Sequence, residues 1–173
     1  MNESEKVKKV EYVPFVGKVE DYLGRSPWDF YSWGHIAFGI ASFSLLSLMI
    51  TITEALIGPS FIAWWFIMLS TFLIGVIWEI IENTILLWWG WRHQFRRDSF
   101  ANSLWDIIFV TGGGVSTWLL KWVIKDYLSL AGRYFYIAAL IYFCILLIAY
   151  FIGFYITNKN TKKARKERSK IIS

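Results

Sequence analysis

Three short segments carry side chains of the kinds that bind cations and move protons. In Trp78-Glu79-Ile80-Ile81-Glu82-Asn83, Glu82 and Asn83 follow Glu79 at i+3 and i+4, so a helix sets all three on one face. Asp98, Asn102 and Asp106 recur at i, i+4 and i+8, which at roughly 100° per residue makes one narrow stripe. His35 stands apart, with Gly39 one turn further along. Carboxylates with amides between them suit a hard divalent cation such as Mg²⁺, Mn²⁺ or Ca²⁺, with Glu79, Glu82, Asp98 and Asp106 as the ligands. A cation there would bind a phosphate-bearing lipid headgroup and polarise it for transfer or hydrolysis. The same crowding supports a general acid and base drawn from Glu79, Glu82 and Asp106, with His35 as the proton shuttle. Asn83, Asp98 and Asn102 would then bind and orient the substrate. Neither chemistry is specified by spacing alone, and no HxxxH or ExxH pair points to zinc or a di-iron site.

Such groups act together only if the chain brings them to one place, and the composition says how. Of 173 residues, 56% are hydrophobic and 20% aromatic, while 18% are charged, below the globular norm of about 25%. Between Ile36 and Leu87 the ionisable side chains are Glu54, Glu79 and Glu82 alone. A bilayer span needs about 20 apolar residues, and four can be placed. The first runs from about His35 to Leu56 and closes at Gly58-Pro59, a turn signal. The second runs from Phe61 to about Leu87, the third from about Asn102 to Val123, and the fourth from Tyr134 to about Ile156. The intervening LLWWGW reads as an interfacial aromatic belt. The fold class is therefore all-α, a polytopic membrane protein of four transmembrane helices. Residues 1–34 form an interfacial N-terminal segment, 35–157 the membrane domain and 158–173 a basic tail. The first apolar run begins too late and is too long for a cleaved signal.

The basic residues orient the bundle. Five lie in the N-terminal segment, three between the second and third spans, and seven in the tail, against Lys121, Lys125 and Arg133 elsewhere. In a four-span protein those three segments share a face, so both termini are expected in the cytoplasm of a multi-pass cell-membrane protein. A five-span or re-entrant arrangement would split them. The formal charge of +5 reads as topology and not as nucleic-acid binding. The tail, NKNTKKARKERSK, shows no apolar periodicity that would make it a folded element; it reads as a solvated determinant of topology, with anionic-lipid contact as the alternative. Trp28, Phe30, Tyr31 and Trp33 are expected at the interface.

With this topology Glu79, 18 residues after Phe61 and so roughly 27 Å along a helix, reaches the cytoplasmic boundary. His35 and the Asp98–Asp106 stripe meet it there. Ionisable groups at that depth are costly and functional by default. The competing reading pairs the acidic groups with Arg92, His93, Arg96 and Arg97 in a network that closes the bundle. Glu54 reads as water-exposed. The run from Thr111 to Thr117 lacks a P-loop pattern, and its glycines read as close helix contact, or else as a locally unwound helix lining a cavity. The lone Cys144 lies in an apolar run and provides no disulfide within one chain.

The runs Phe30-Tyr31-Ser32-Trp33-Gly34-His35, Trp78-Glu79-Ile80-Ile81-Glu82-Asn83-Thr84 and Asp98-Ser99-Phe100-Ala101-Asn102-Ser103 with Asp106 resemble an uncharacterised group of small bacterial integral membrane proteins. That group carries WExxEN and DSxxNSxxD segments in this order. The last segment, followed by glycines, also looks like a pattern of VanZ-like proteins, linked to glycopeptide resistance. The group usually has a second histidine where Phe38 stands here. The resemblance spans about residues 28 to 120 and implies the fold type and these polar positions, but no established reaction. Three function classes follow: metal-assisted handling of a lipid or phosphorylated headgroup, a non-enzymatic VanZ-like lipid-binding or transport module, or a structural subunit of a homo-oligomer or larger membrane complex. Membrane lipids are the expected partners in the first two.

Overall fold

Long runs of Leu, Ile, Phe, Ala and Met without an interior proline leave the backbone one economical way to satisfy its N–H and C=O groups in an apolar surrounding, which is the helix. A computed structural model describes residues 12–59, 64–91 and 96–172. Four helices follow one another: α1 (Tyr31–Ile57), α2 (Trp64–Ile81), α3 (Phe100–Trp122) and α4 (Gly132–Ile172). A π-helical turn, Glu82–Leu86, prolongs α2, and another, Val123–Tyr127, prolongs α3. All four are long and apolar enough to cross a membrane, and no strand is present among the described residues. The chain is an all-α, four-helix membrane protein.

The helix ends follow local chemistry. Gly58, at φ 97°, donates its N–H to the Glu54 carbonyl and turns the chain out of α1 ahead of Pro59. Ser99 caps α3 by accepting the Asn102 N–H, so the helix starts slightly earlier than the apolar pattern predicts. Gly90, at φ 73°, ends the extension of α2, and Trp88 and Trp91 beside it are largely exposed, as expected of an aromatic belt. α1 likewise begins at Tyr31, one turn before the predicted boundary. Phe61 lies outside the described residues.

α1 is central, packing on α2, α3 and α4, whereas α2 and α4 do not touch each other among the described residues. Two apolar clusters bind it: Phe43 with Ile67, Ile124, Phe135 and Ala139, and Ala37 and Ile40 with Leu146. The closest approach is between α1 and α3. A Cβ on Gly39 would fall inside the Val110 carbonyl, and one on Gly113 inside the Ile36 carbonyl. Gly114 faces Thr71 of α2, at 2.9 Å from an added Cβ. The run from Thr111 to Thr117 is thus regular helix in close contact, and not an unwound segment. Apolar side chains such as Leu45, Ile77, Leu140 and Phe151 face outward, as a lipid-facing surface requires.

Residues 12–30 form a cap over one end of the bundle. Gly17 donates to the Trp28 carbonyl and Trp28 to that of Phe15, at 2.7 and 2.9 Å. Trp28 packs edge-on against Trp33 and Phe109, and Phe15 against Trp105. Phe30 is buried against Tyr150 and Phe154 of α4. One expectation is corrected: the tail is helical and continues α4 through Ile172. The span before it supplies the helical nucleus, and a Lys/Arg/Ala/Glu sequence without Gly or Pro extends it at little cost. Acidic partners on the cap hold it: Arg165 meets Glu20 at 2.6 Å and Arg168 meets Asp21 at 2.7 Å, while Thr161 accepts the Glu20 N–H. These ion pairs are exposed, so they orient the tail more than they stabilise it.

Candidate functional site

The polar residues of three helices meet under the cap. His35 of α1, Glu79 of α2 and Asn102 and Asp106 of α3 are buried, and Glu82, Asn83 and Asp98 are half-buried around them. His35 Nε2 lies 3.6 Å from Asp106 Oδ2. This pair exists because Gly39 and Val110, each one turn further along, bring the two backbones together. The convergence expected of His35, Glu79, Glu82, Asn83, Asp98 and Asp106 is therefore present, while the Asn102 amide turns to the cap.

Asn83 joins α2 to the start of α3. Its Nδ2 lies 3.1 Å from the Glu79 carbonyl, 3.2 Å from Glu79 Oε2, 3.3 Å from Asp98 Oδ2 and 3.4 Å from Ser103 Oγ. An amide has two N–H groups, so these acceptors share them. Its Oδ1 accepts the Asp98 N–H at 2.8 Å. The π turn that carries Glu82 and Asn83 widens the helix locally, a distortion frequent at functional sites.

Ligand atoms of His35, Glu79 and Glu82 lie within 4.8 Å of one another, and the same holds for Glu79, Asp98 and Asp106. Asp106 is 3% exposed, and its Oδ1 is buried without a hydrogen-bond partner among the described residues. A cavity of about 330 Å³ opens beside the cluster, lined by Tyr31, Gly34, His35 and Phe38 of α1, Trp78 of α2, Glu82 of the π turn that prolongs it, and Tyr150 of α4. It occupies the gap between α2 and α4, in front of α1.

Other expected residues are placed differently. Arg96 reaches the Leu23 and Asp21 carbonyls of the cap at 2.6 and 2.9 Å, and Arg97 is exposed. Arg92 and His93, the remaining cations of the predicted closing network, lie outside the described residues. Glu54 is exposed, as read from the sequence. Asn102 spends its amide on the cap, donating to the Ser26 carbonyl at 2.8 Å. Asn102→Ala leaves that buried carbonyl unsatisfied, which costs about 1–3 kcal/mol. The expected result is a lower unfolding temperature in detergent and faster tryptic cleavage after Lys18 and Arg25; unchanged cleavage would show that this bond does not hold the cap.

Sequence reasoning missed Asp29, Tyr150 and Trp78. Only Asp29 carries a usable signal, an acidic residue directly before a span and thus at a helix N-terminus. Its Oδ1 accepts the Tyr31 N–H and its Oδ2 the Gly24 N–H. Burial raises its pKa from 3.8 to about 6; those backbone N–H groups oppose the rise and the Asp98 charge adds to it. A raised folded-state pKa makes the stability from protonated Asp29 complete below about 3.8 and lost as pH rises through about 6. Thermal unfolding followed across that window should show this slope, and Asp29→Asn should remove it.

Comparison of the chain with protein-family models, curated proteins and solved structures gives no match.

Proposed function

We propose that the protein is a multi-pass cell-membrane protein that takes a divalent cation, Mg²⁺ or Mn²⁺, into its carboxylate–histidine site to handle a phosphate-bearing lipid headgroup. The basic residues of the cap, the α2–α3 loop and the tail favour a cytoplasmic location for this end. The observation that carries the reading is the buried Asp106 Oδ1, without a hydrogen-bond partner among the described residues, within a set of converging carboxylates. A carboxylate oxygen desolvated without a partner is costly, and a cation removes that cost. Glu79, Asp98 and Asp106, with Glu82 and His35, would hold the cation, which when bound polarises a phosphoryl oxygen. The gap between α2 and α4 gives a lipid lateral access. Its aromatic walls, Tyr31, Phe38, Trp78 and Tyr150, suit the acyl–headgroup boundary, and His35 and Glu82, which line the same cavity, would turn the cation they hold toward the headgroup.

Titration of the purified protein with Mn²⁺ should show saturable binding that Mg²⁺ displaces. Absence of saturable binding would end the cation reading. The VanZ-like alternative, lipid binding without turnover, uses the same cavity. It predicts a phosphate-bearing lipid that co-purifies and is recovered chemically unchanged after incubation with the cation.

A further inference from the structure

We infer that the cluster is built for two divalent cations bridged by Glu79, an inference that rests on the cation reading above. The five acidic and imidazole groups do not converge on one point. They fall into two sets, His35–Glu79–Glu82 and Glu79–Asp98–Asp106, with Glu79 in both. Donors around one Mg²⁺ or Mn²⁺ at about 2.1 Å sit no more than roughly 4.2 Å apart. Each set of three needs only a slight contraction to reach that spacing, and five groups spread over two sets do not fit one ion. A carboxylate has two oxygens, and in two-metal sites the ions lie roughly 3.5–4 Å apart, within the reach of one bridging carboxylate.

The two subsites differ in surroundings. His35 and Glu82 line the cavity between α2 and α4, so the cation they share with Glu79 keeps positions open toward a lipid. Asp98 and Asp106 lie on the α3 side, where Asn83 spans Glu79 and Asp98; a cation there is enclosed. Asp106 connects the halves. Its Oδ2 faces His35 across 3.6 Å, and its buried Oδ1 has no hydrogen-bond partner among the described residues. An imidazole in one set and carboxylates alone in the other also predict different preferences, with softer Mn²⁺ favoured beside His35 and Mg²⁺ tolerated in the inner subsite. The ligand class that fits an open and an enclosed hard cation side by side is a phosphate ester, which in this location is that of a membrane lipid.

The test is the stoichiometry and magnetic coupling of Mn²⁺ in the full-length protein in detergent. Two ions per chain with an exchange-coupled paramagnetic resonance signal is the expected result. Glu82→Gln or His35→Ala should leave one uncoupled ion, and so should Asp98→Asn. Glu79→Gln should leave none bound tightly. Only variants that match the wild type in gel filtration and thermal unfolding are counted, and if Glu79→Gln does not fold, the three single-subsite variants decide the matter. One ion per chain in the wild type overturns the paired site but leaves the cation reading standing. No bound ion overturns both.

Discussion

Replacement of Gly113 by leucine is expected to leave no folded four-helix protein to purify. Even the Cβ of alanine at this position enters the Ile36 carbonyl, and at Gly39 it enters that of Val110. Overpacking ordinarily costs about 1–3 kcal/mol because neighbouring side chains adjust. Here the neighbours are backbone atoms of a helix, which cannot rotate aside, so α1 and α3 must separate along their whole crossing. The cost therefore exceeds the usual range for leucine and reaches its upper end for alanine. Gly112 supplies the control. An added Cβ there meets nothing within 4 Å, so Gly112→Ala should be neutral or slightly stabilising through helix propensity. Thermal unfolding and gel filtration of the three alanine variants check this. Helices that have already separated for one substitution accommodate the second, so the Gly39→Ala/Gly113→Ala double should cost clearly less than the two singles together. Equal stability of the Gly112 and Gly113 variants would show that the crossing is not held by the missing side chains.

Asp106→Asn should lower the affinity for Mn²⁺ at the Glu79–Asp98–Asp106 set by at least about 100-fold, more than the 10–100-fold typical of residues that only orient metal ligands. The two side chains have the same shape, so the fold should persist. Loss of affinity with equal or greater stability is the combination that separates a ligand from a structural residue. Unchanged affinity would remove Asp106 from the site. A fall in both would mean that its contact with His35, at 3.6 Å, is chiefly structural.

Much of the site was legible in the chain because its spacing is local. Glu79, Glu82 and Asn83 share a face through helical geometry alone, as do Asp98, Asn102 and Asp106. Bilayer thickness then brings His35 to the same depth. The glycines of α3 announced a close approach without naming its partner. Asp29 was hidden because its burial comes from the cap, whose contacts join residues far apart in sequence. Nothing in the tail's composition marked it as a docked helix, because its partners Glu20 and Asp21 lie more than 140 residues earlier.

The sequence by itself therefore determined four apolar helices and the identity of most of the polar residues that meet under the cap. Hydrophobic length and helical periodicity are properties of short stretches, and they hold whatever the neighbours do. Tertiary structure alone decided that these residues divide into two sets around Glu79, that Asn102 holds the cap, and that the cluster opens between α2 and α4. Those outcomes depend on how closely α1 and α3 approach and on the separation of α2 from α4 among the described residues. Packing between distant segments sets both, and no local pattern encodes it.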